Sequence, residues 1–138
     1  MTKGEYETLA AFRYELRKFL HFSERAAAEQ DLAPQQYLAL LEIKGFPERE
    51  RVTVGELAER LQITAHSAVG LVNRLEERAL VARESSSEDR RCVYISLTPK
   101  GRRVLEKLAT VHRTELKKVG PLLVRLLGRV TEAAHPDE

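Results

Sequence analysis

What most constrains this chain is a change of period. Up to Leu80 its apolar residues recur at the three- and four-residue spacing of helices. Then Val93, Ile95 and Leu97 alternate with Cys92, Tyr94 and Ser96, the two-residue period of a half-buried strand. "LVAR", beginning at Leu80, can form a partner strand, and "ESSSEDRR" joins the two into a β-hairpin. Helical spacing restarts at Thr98-Pro99, a capping residue followed by proline at the first helical position. An otherwise helical chain thus carries one hairpin, with serines, acids and arginines at its tip.

The segment before the hairpin explains its presence. Thr53 followed by Glu56 is a capping box, and Leu57, Ala58 and Leu61 give a short helix its buried stripe. After "QIT", Thr64 caps a longer helix with Ala68, Leu71, Val72 and Leu75 at helical intervals. Two short helices with a tight joint are a helix-turn-helix, and the hairpin makes it a winged helix. Earlier, Pro34 opens a helix with Tyr37, Leu38, Leu41 and Leu40 on its apolar side, ended by "KGFPERE". A long helix over residues 5–30 carries Leu9, Phe12, Leu16, Phe19 and Leu20. Another runs from Pro99 to about Lys118, where Gly120-Pro121 is expected to interrupt it before a last helix with Leu122, Leu123, Leu126, Leu127 and Val130.

The fold class expected is therefore mainly α with a small β-hairpin wing. Residues 1–138 form a single domain: a winged helix-turn-helix lobe over 34–101, flanked by helices over 5–30 and 102–135. The lobe needs little more than half of the chain. Its terminal helices are left with apolar stripes that a two-fold dimer would bury together.

An α-helix fits the major groove of B-DNA. With Ala68, Leu71, Val72 and Leu75 turned inward, the opposite side is Ala65, His66, Ser67, Val69, Gly70, Asn73 and Arg74, with Thr64 at the cap. The small residues at 65, 67 and 70 allow close approach to bases. Asn73 and Arg74 can donate to phosphates or base edges. A neighbouring hairpin would reach the minor groove, whose negative potential attracts Arg90 and Arg91, and Asp89 can brace that loop. Charge follows the same division: residues 64–103 hold eight basic and five acidic side chains, although the net charge of the chain is only +2.

"EDRRCVYISLTPKG", preceded by "AVGLVNRLEERALV", resembles the MarR family of bacterial transcription regulators. The shared features are Asp89-x-Arg91, the alternating strand, Leu97-Thr98-x-x-Gly101, and Leu71, Val72, Arg74, Leu75 and Glu76 in the helix. The resemblance implies a homodimer of interlocked terminal helices and two winged helices on a pseudo-palindromic duplex operator. It also implies that Arg91 enters the minor groove while Arg90 meets a phosphate, and that a small aromatic or anionic effector binds between the dimer helices and the winged helix. Tyr37, Phe19 and His21 can face such a pocket or be core. A ligand-responsive repressor is the expectation. Two positions depart from the common pattern: Ala79 stands where many relatives have glycine, and Gly70 where many have arginine. Alanine at 79 costs about 1 kcal/mol if that residue is left-handed.

Other readings have weaker support. Arg74 can pair with Glu77 instead of DNA. Cys92 is the only cysteine, so the chain has no internal disulfide, and its strand position without a second thiol favours a passive residue. His112 with Glu115, and His21 with Glu24, have helical spacing but lack the further ligands of a closed metal site, so no metal or cofactor is expected. No phosphate loop, dinucleotide turn or Ser-His-acid set points to an enzyme. A winged helix that binds protein rather than DNA is the alternative. No apolar run approaches a membrane span, and residues 1–10 lack an apolar signal core, so a cytoplasmic protein is expected.

Overall fold

The computed structural model describes residues 1–86, 88 and 91–132. Its elements are α1 (Lys3–Glu29), α2 (Pro34–Lys44), β1 (Arg51–Val52), α3 (Val54–Leu61), α4 (Ala65–Glu77), β2 (Val81–Ser85), β3 (Val93–Leu97) and α5 (Pro99–Thr131). The fold is the expected one, mainly α with a small antiparallel wing after a helix-turn-helix. The chain divides into two compact units: Ala27–Ala109, and Met1–Ala26 with the segment from Thr110 onward.

The 27–109 unit holds the winged helix. In α3 the capping box forms as expected: Thr53 Oγ1 accepts the Glu56 N–H at 3.1 Å, and Glu56 Oε1 accepts the Thr53 N–H at 2.9 Å. Leu57 and Ala58 are buried. Gln62, at φ 57°, then turns the chain into α4. That helix buries Ala68, Leu71, Val72 and Leu75 and closes through a left-handed Ala79 at φ 58°. The Ala79 N–H donates to Glu76 O at 2.9 Å and the Leu80 N–H to Leu75 O at 3.0 Å. This is a Schellman closure, and its two leucines, Leu75 and Leu80, are both buried.

The wing pairs Val81 with Leu97, Arg83 with Ile95 and Ser85 with Val93. Ile95, Leu97 and Val81 are buried, whereas Val93, at the far end of the hairpin, is exposed. A third strand, unforeseen in the sequence, makes the sheet order β1-β3-β2. It pairs Val52 with Ile95 and Arg51 with Ser96. Two residues are too few to show an alternation, and the fully buried Val52 is its anchor.

Two other expectations need correction. In α2 the buried residues are Gln36, Tyr37, Ala39, Leu40 and Ile43, while Leu38 and Leu41 are exposed. Gly120-Pro121 does not divide the last helix, since α5 is continuous. Proline leaves the carbonyl of Lys117 without its helical donor. Both Lys117 and Pro121 are exposed, so water can take that bond.

In the other unit, α1 and α5 contribute half-buried Phe12, Leu16, Phe19 and Phe22 and a buried Leu126. His112 lies inside, not on the helix surface where a metal pair with Glu115 would need it. Its Nε2 is 2.7 Å from Ser23 Oγ, and the Phe19 and Phe22 rings meet it edge-on.

Candidate nucleic-acid interface

Thr64, Ala65, His66, Ser67, Val69, Asn73 and Arg74 are all exposed on α4, and Gly70 is half-buried among them. Helix periodicity separates this face cleanly from the buried stripe. Thr64 is a cap: its Oγ1 accepts the Ser67 N–H at 3.1 Å and donates to Ser67 Oγ at 2.9 Å. Arg74 folds across Gly70, where an added β-carbon would lie 3.5 Å from its Nη1. The ion pair found on α4 is Glu76 with Arg83, rather than Arg74 with Glu77.

Arg83, on β2, was not singled out from the sequence. Its Nη1 donates to Glu76 Oε1 at 2.6 Å and its Nη2 to Asn73 Oδ1 at 2.7 Å. Asn73 and Glu76 are three residues apart, hence on one side of α4. One guanidinium thereby fastens the helix to the wing. Nothing local to Arg83 in the sequence announces partners across a helix end and a turn.

Of the hairpin tip, Asp89 and Arg90 lie outside the described residues. Arg91 is exposed, and Ser86 N–H donates to Cys92 O at 2.9 Å just inside it. At the other end of the wing, Thr98 Oγ1 donates to Ala79 O at 2.6 Å and accepts the Gly101 N–H at 3.0 Å. Lys100 Nζ donates to Arg78 O at 2.9 Å. The start of α5 thus clasps the turn that follows α4.

The outer face of the sheet is an arginine–aromatic cluster. Arg51 stacks over Tyr94 at 4.2 Å and pairs with Glu84 at 3.6 Å, while Arg49 lies over Phe46 at 4.6 Å. Arg49 also pairs with Glu56; their hydrogen bond holds the carboxyl below its usual range and raises the guanidinium. A hydrogen bond with the Cys92 thiol raises the Tyr94 phenol. Among the described residues no group of three or more His, Cys, Asp or Glu side chains is placed to hold a metal.

An exposed second helix of a helix-turn-helix, tied to a wing with an arginine at its tip, defines a winged helix-turn-helix protein. Residues 30–91 match the MarR family. The organic hydroperoxide resistance transcriptional regulator of Bacillus subtilis is 37% identical over 81 residues, 59% of this chain and 53% of that one. The transcriptional repressor MdtR of the same organism is 25% identical over 118 residues, covering 80% and 74%. A Staphylococcus aureus MepR mutant bound to an oligodeoxyribonucleotide shares the fold, with a TM-score of 0.70 at 19% identity over 88% of this chain and 96% of that one. Over residues 30–91, less than half of its length, the chain is similar to the MarR family of transcription regulators. It spans little more than half the length of the first curated relatives it matches.

Proposed function

We propose that this protein is a sequence-specific, double-stranded DNA-binding transcription regulator, acting as a homodimer and as a ligand-responsive repressor. The observation that carries this is the open face of α4, with its small residues and hydrogen-bond donors, beside a hairpin that ends in Arg91. In this reading Ala65, Ser67 and Gly70 admit the helix deep into the major groove. His66, Asn73 and Arg74 donate to base edges or phosphates, and Val69 offers an apolar contact. Thr64 fixes the helix start, Arg91 enters the minor groove, and Asp89 and Arg90 complete the tip. Residues 34–101 carry the DNA-binding function, and 5–30 with 102–135 the dimer. The S. aureus MepR mutant bound to an oligodeoxyribonucleotide supports the same use of the fold.

A pocket of about 420 Å³ in the α1/α5 unit is the candidate effector site. Phe19 and Phe22 offer ring contacts and His21 a donor, while Lys18 and Arg25 are balanced by Glu15 and Glu115, so the aromatic part of an effector has the clearer complement. Tyr37 is core instead, and burial raises its phenol. No described helix is long and apolar enough to cross a membrane. A repressor works where the DNA is, which in a bacterium is the cytoplasm.

The test is titration of the protein against duplexes of its own promoter region at several salt concentrations. Affinity should fall steeply with salt, as phosphate-bound counterions are released. Arg91→Ala should weaken binding by about 1–3 kcal/mol per half-site and lose preference for A·T-rich flanks. Arg102→Ala should lower the salt slope by about one per contact and treat all sequences alike. Salt-independent or absent duplex binding would replace this reading with a protein-binding winged helix.

A further inference from the structure

We propose that Arg83 is a positioning residue for base recognition: by holding Asn73 Oδ1 it turns the amide N–H₂ of Asn73 toward the duplex and commits that position to guanine. The inference rests on the DNA-binding reading above. A guanidinium has five N–H donors and no acceptor, so the amide atom that faces it must be the oxygen. That contact is 2.7 Å, and the second fork of Arg83 is fixed at 2.6 Å by Glu76, so the guanidinium is held from two sides. The amide is planar, with its nitrogen about 120° from its oxygen. Once the oxygen faces β2, the two N–H groups face away from it. Asn73 is itself exposed on the α4 face that offers donors.

This orientation selects among base edges. Adenine needs a donor and an acceptor together, the amide nitrogen on N7 and the amide oxygen on N6–H₂. The oxygen keeps a second lone pair, but its bond to Arg83 turns it toward β2, so oxygen and nitrogen no longer face one adenine edge together. Guanine presents N7 and O6, two acceptors, which suit an N–H₂ group. The common preference of asparagine is thereby reversed by a residue that need not touch DNA. Because Arg83 is on β2 and Asn73 on α4, the same clamp ties base choice to the position of the wing.

The experiment selects duplexes from a random library with the full chain. It then measures affinity for the four base pairs at each half-site position, with thermal unfolding to confirm folding of each variant. Wild type should show a guanine at one position preferred over adenine by roughly tenfold or more. Arg83→Ala should bring that ratio to within about threefold, by freeing the amide to satisfy adenine. Arg83→Lys should retain part of the preference, since one donor still reaches the oxygen. Asn73→Asp keeps an oxygen for Arg83 but exchanges N–H₂ for an acceptor, so its preference should move from guanine to cytosine, whose N4–H₂ donates. If Arg83→Ala weakens every duplex equally with base preference intact, Arg83 is a structural brace and the proposal falls. Equal loss on all bases in Asn73→Asp makes Asn73 a phosphate contact and overturns the proposal as well. Failure of wild type to bind any duplex in a salt-sensitive way removes the DNA-binding reading itself.

Discussion

A β-carbon placed on Gly101 would lie 2.0 Å from the Leu80 carbonyl oxygen and 3.0 Å from its carbon. Backbone is the obstacle, so no rotamer change relieves it. The same carbonyl accepts the Thr98 N–H at 3.1 Å, and Thr98 Oγ1 reaches Ala79 O. Gly101→Ala must therefore push the start of α5 off the turn after α4, at a cost of about 1–3 kcal/mol or more. At Ala79, immediately before that carbonyl's residue, the opposite change should help. Ala79 is left-handed at φ 58°, a conformation that costs an L-residue roughly 1–2 kcal/mol. Ala79→Gly removes that strain but adds freedom to the unfolded chain, leaving a net gain of about 0.5–1 kcal/mol. Urea unfolding of the two variants should move the midpoint in opposite directions; equal shifts would refute the clasp. The sequence displayed Thr98 and Gly101 as a pattern, and Ala79 as a departure from one. It did not display the Leu80 carbonyl, because a steric limit between distant backbone segments leaves no local periodicity.

Among the elements, α3 shows how far a short helix depends on its first turn. Glu56 closes the capping box on Thr53 and also pairs with Arg49. The hydrogen bond from Arg49 is the main reason its folded pKa lies below the usual 4.5. A depressed carboxylate stabilises the fold above its unfolded pKa, and that stabilisation is lost as pH falls through the folded value. Stability should thus decline below about pH 4.5. Glu56→Gln should flatten the decline without abolishing it, because Glu50, lowered by Lys44, titrates with the same sign. Thr53→Ala should cost about 1 kcal/mol at neutral pH. Chemical denaturation from pH 7 to pH 3 checks both; an unchanged pH slope in Glu56→Gln would contradict the pairing. Elements with a strong one-sided pattern, such as α3 and α4, were legible in the sequence, and with them the exposed face of α4. In α2 apolar residues encircle the helix, so spacing could not choose between Leu38 and Leu40. In α5 a Gly-Pro pair, normally a stop, lies where solvent can satisfy the freed carbonyl. β1 was invisible because its partner, not its own sequence, makes it a strand.

Among the described residues, exposed large apolar side chains are most numerous on the terminal helices. Tyr14 is 62% exposed on α1 and Val124 70% on α5, with Leu20, Leu116 and Leu127 also exposed. Single exposed apolar residues are ordinary, but large ones repeated along two helices of one unit suggest a missing partner. A second copy related by a two-fold axis would cover the same residues on both chains, since an isologous contact is self-complementary. Such a dimer would place two copies of α4 on one duplex, with half-site centres expected about 10 bp apart. The energetics follow from the pairing. A dimer that binds both half-sites combines their free energies, whereas a monomer has one half-site only. A charge at the most exposed apolar position of α5 tests this: Val124→Arg should shift sedimentation from twice the 15.7 kDa chain mass toward the chain mass. Helix content should persist, because Val124 contributes little to the core of its own chain. Operator affinity should fall by about 10²-fold or more, on the order of the 3 kcal/mol that one half-site's specific contacts supply. The footprint should shrink to one half-site. A monomeric wild type at micromolar concentration, or a monomeric variant with full operator affinity, would show that α1 and α5 do not bring the two winged helices together.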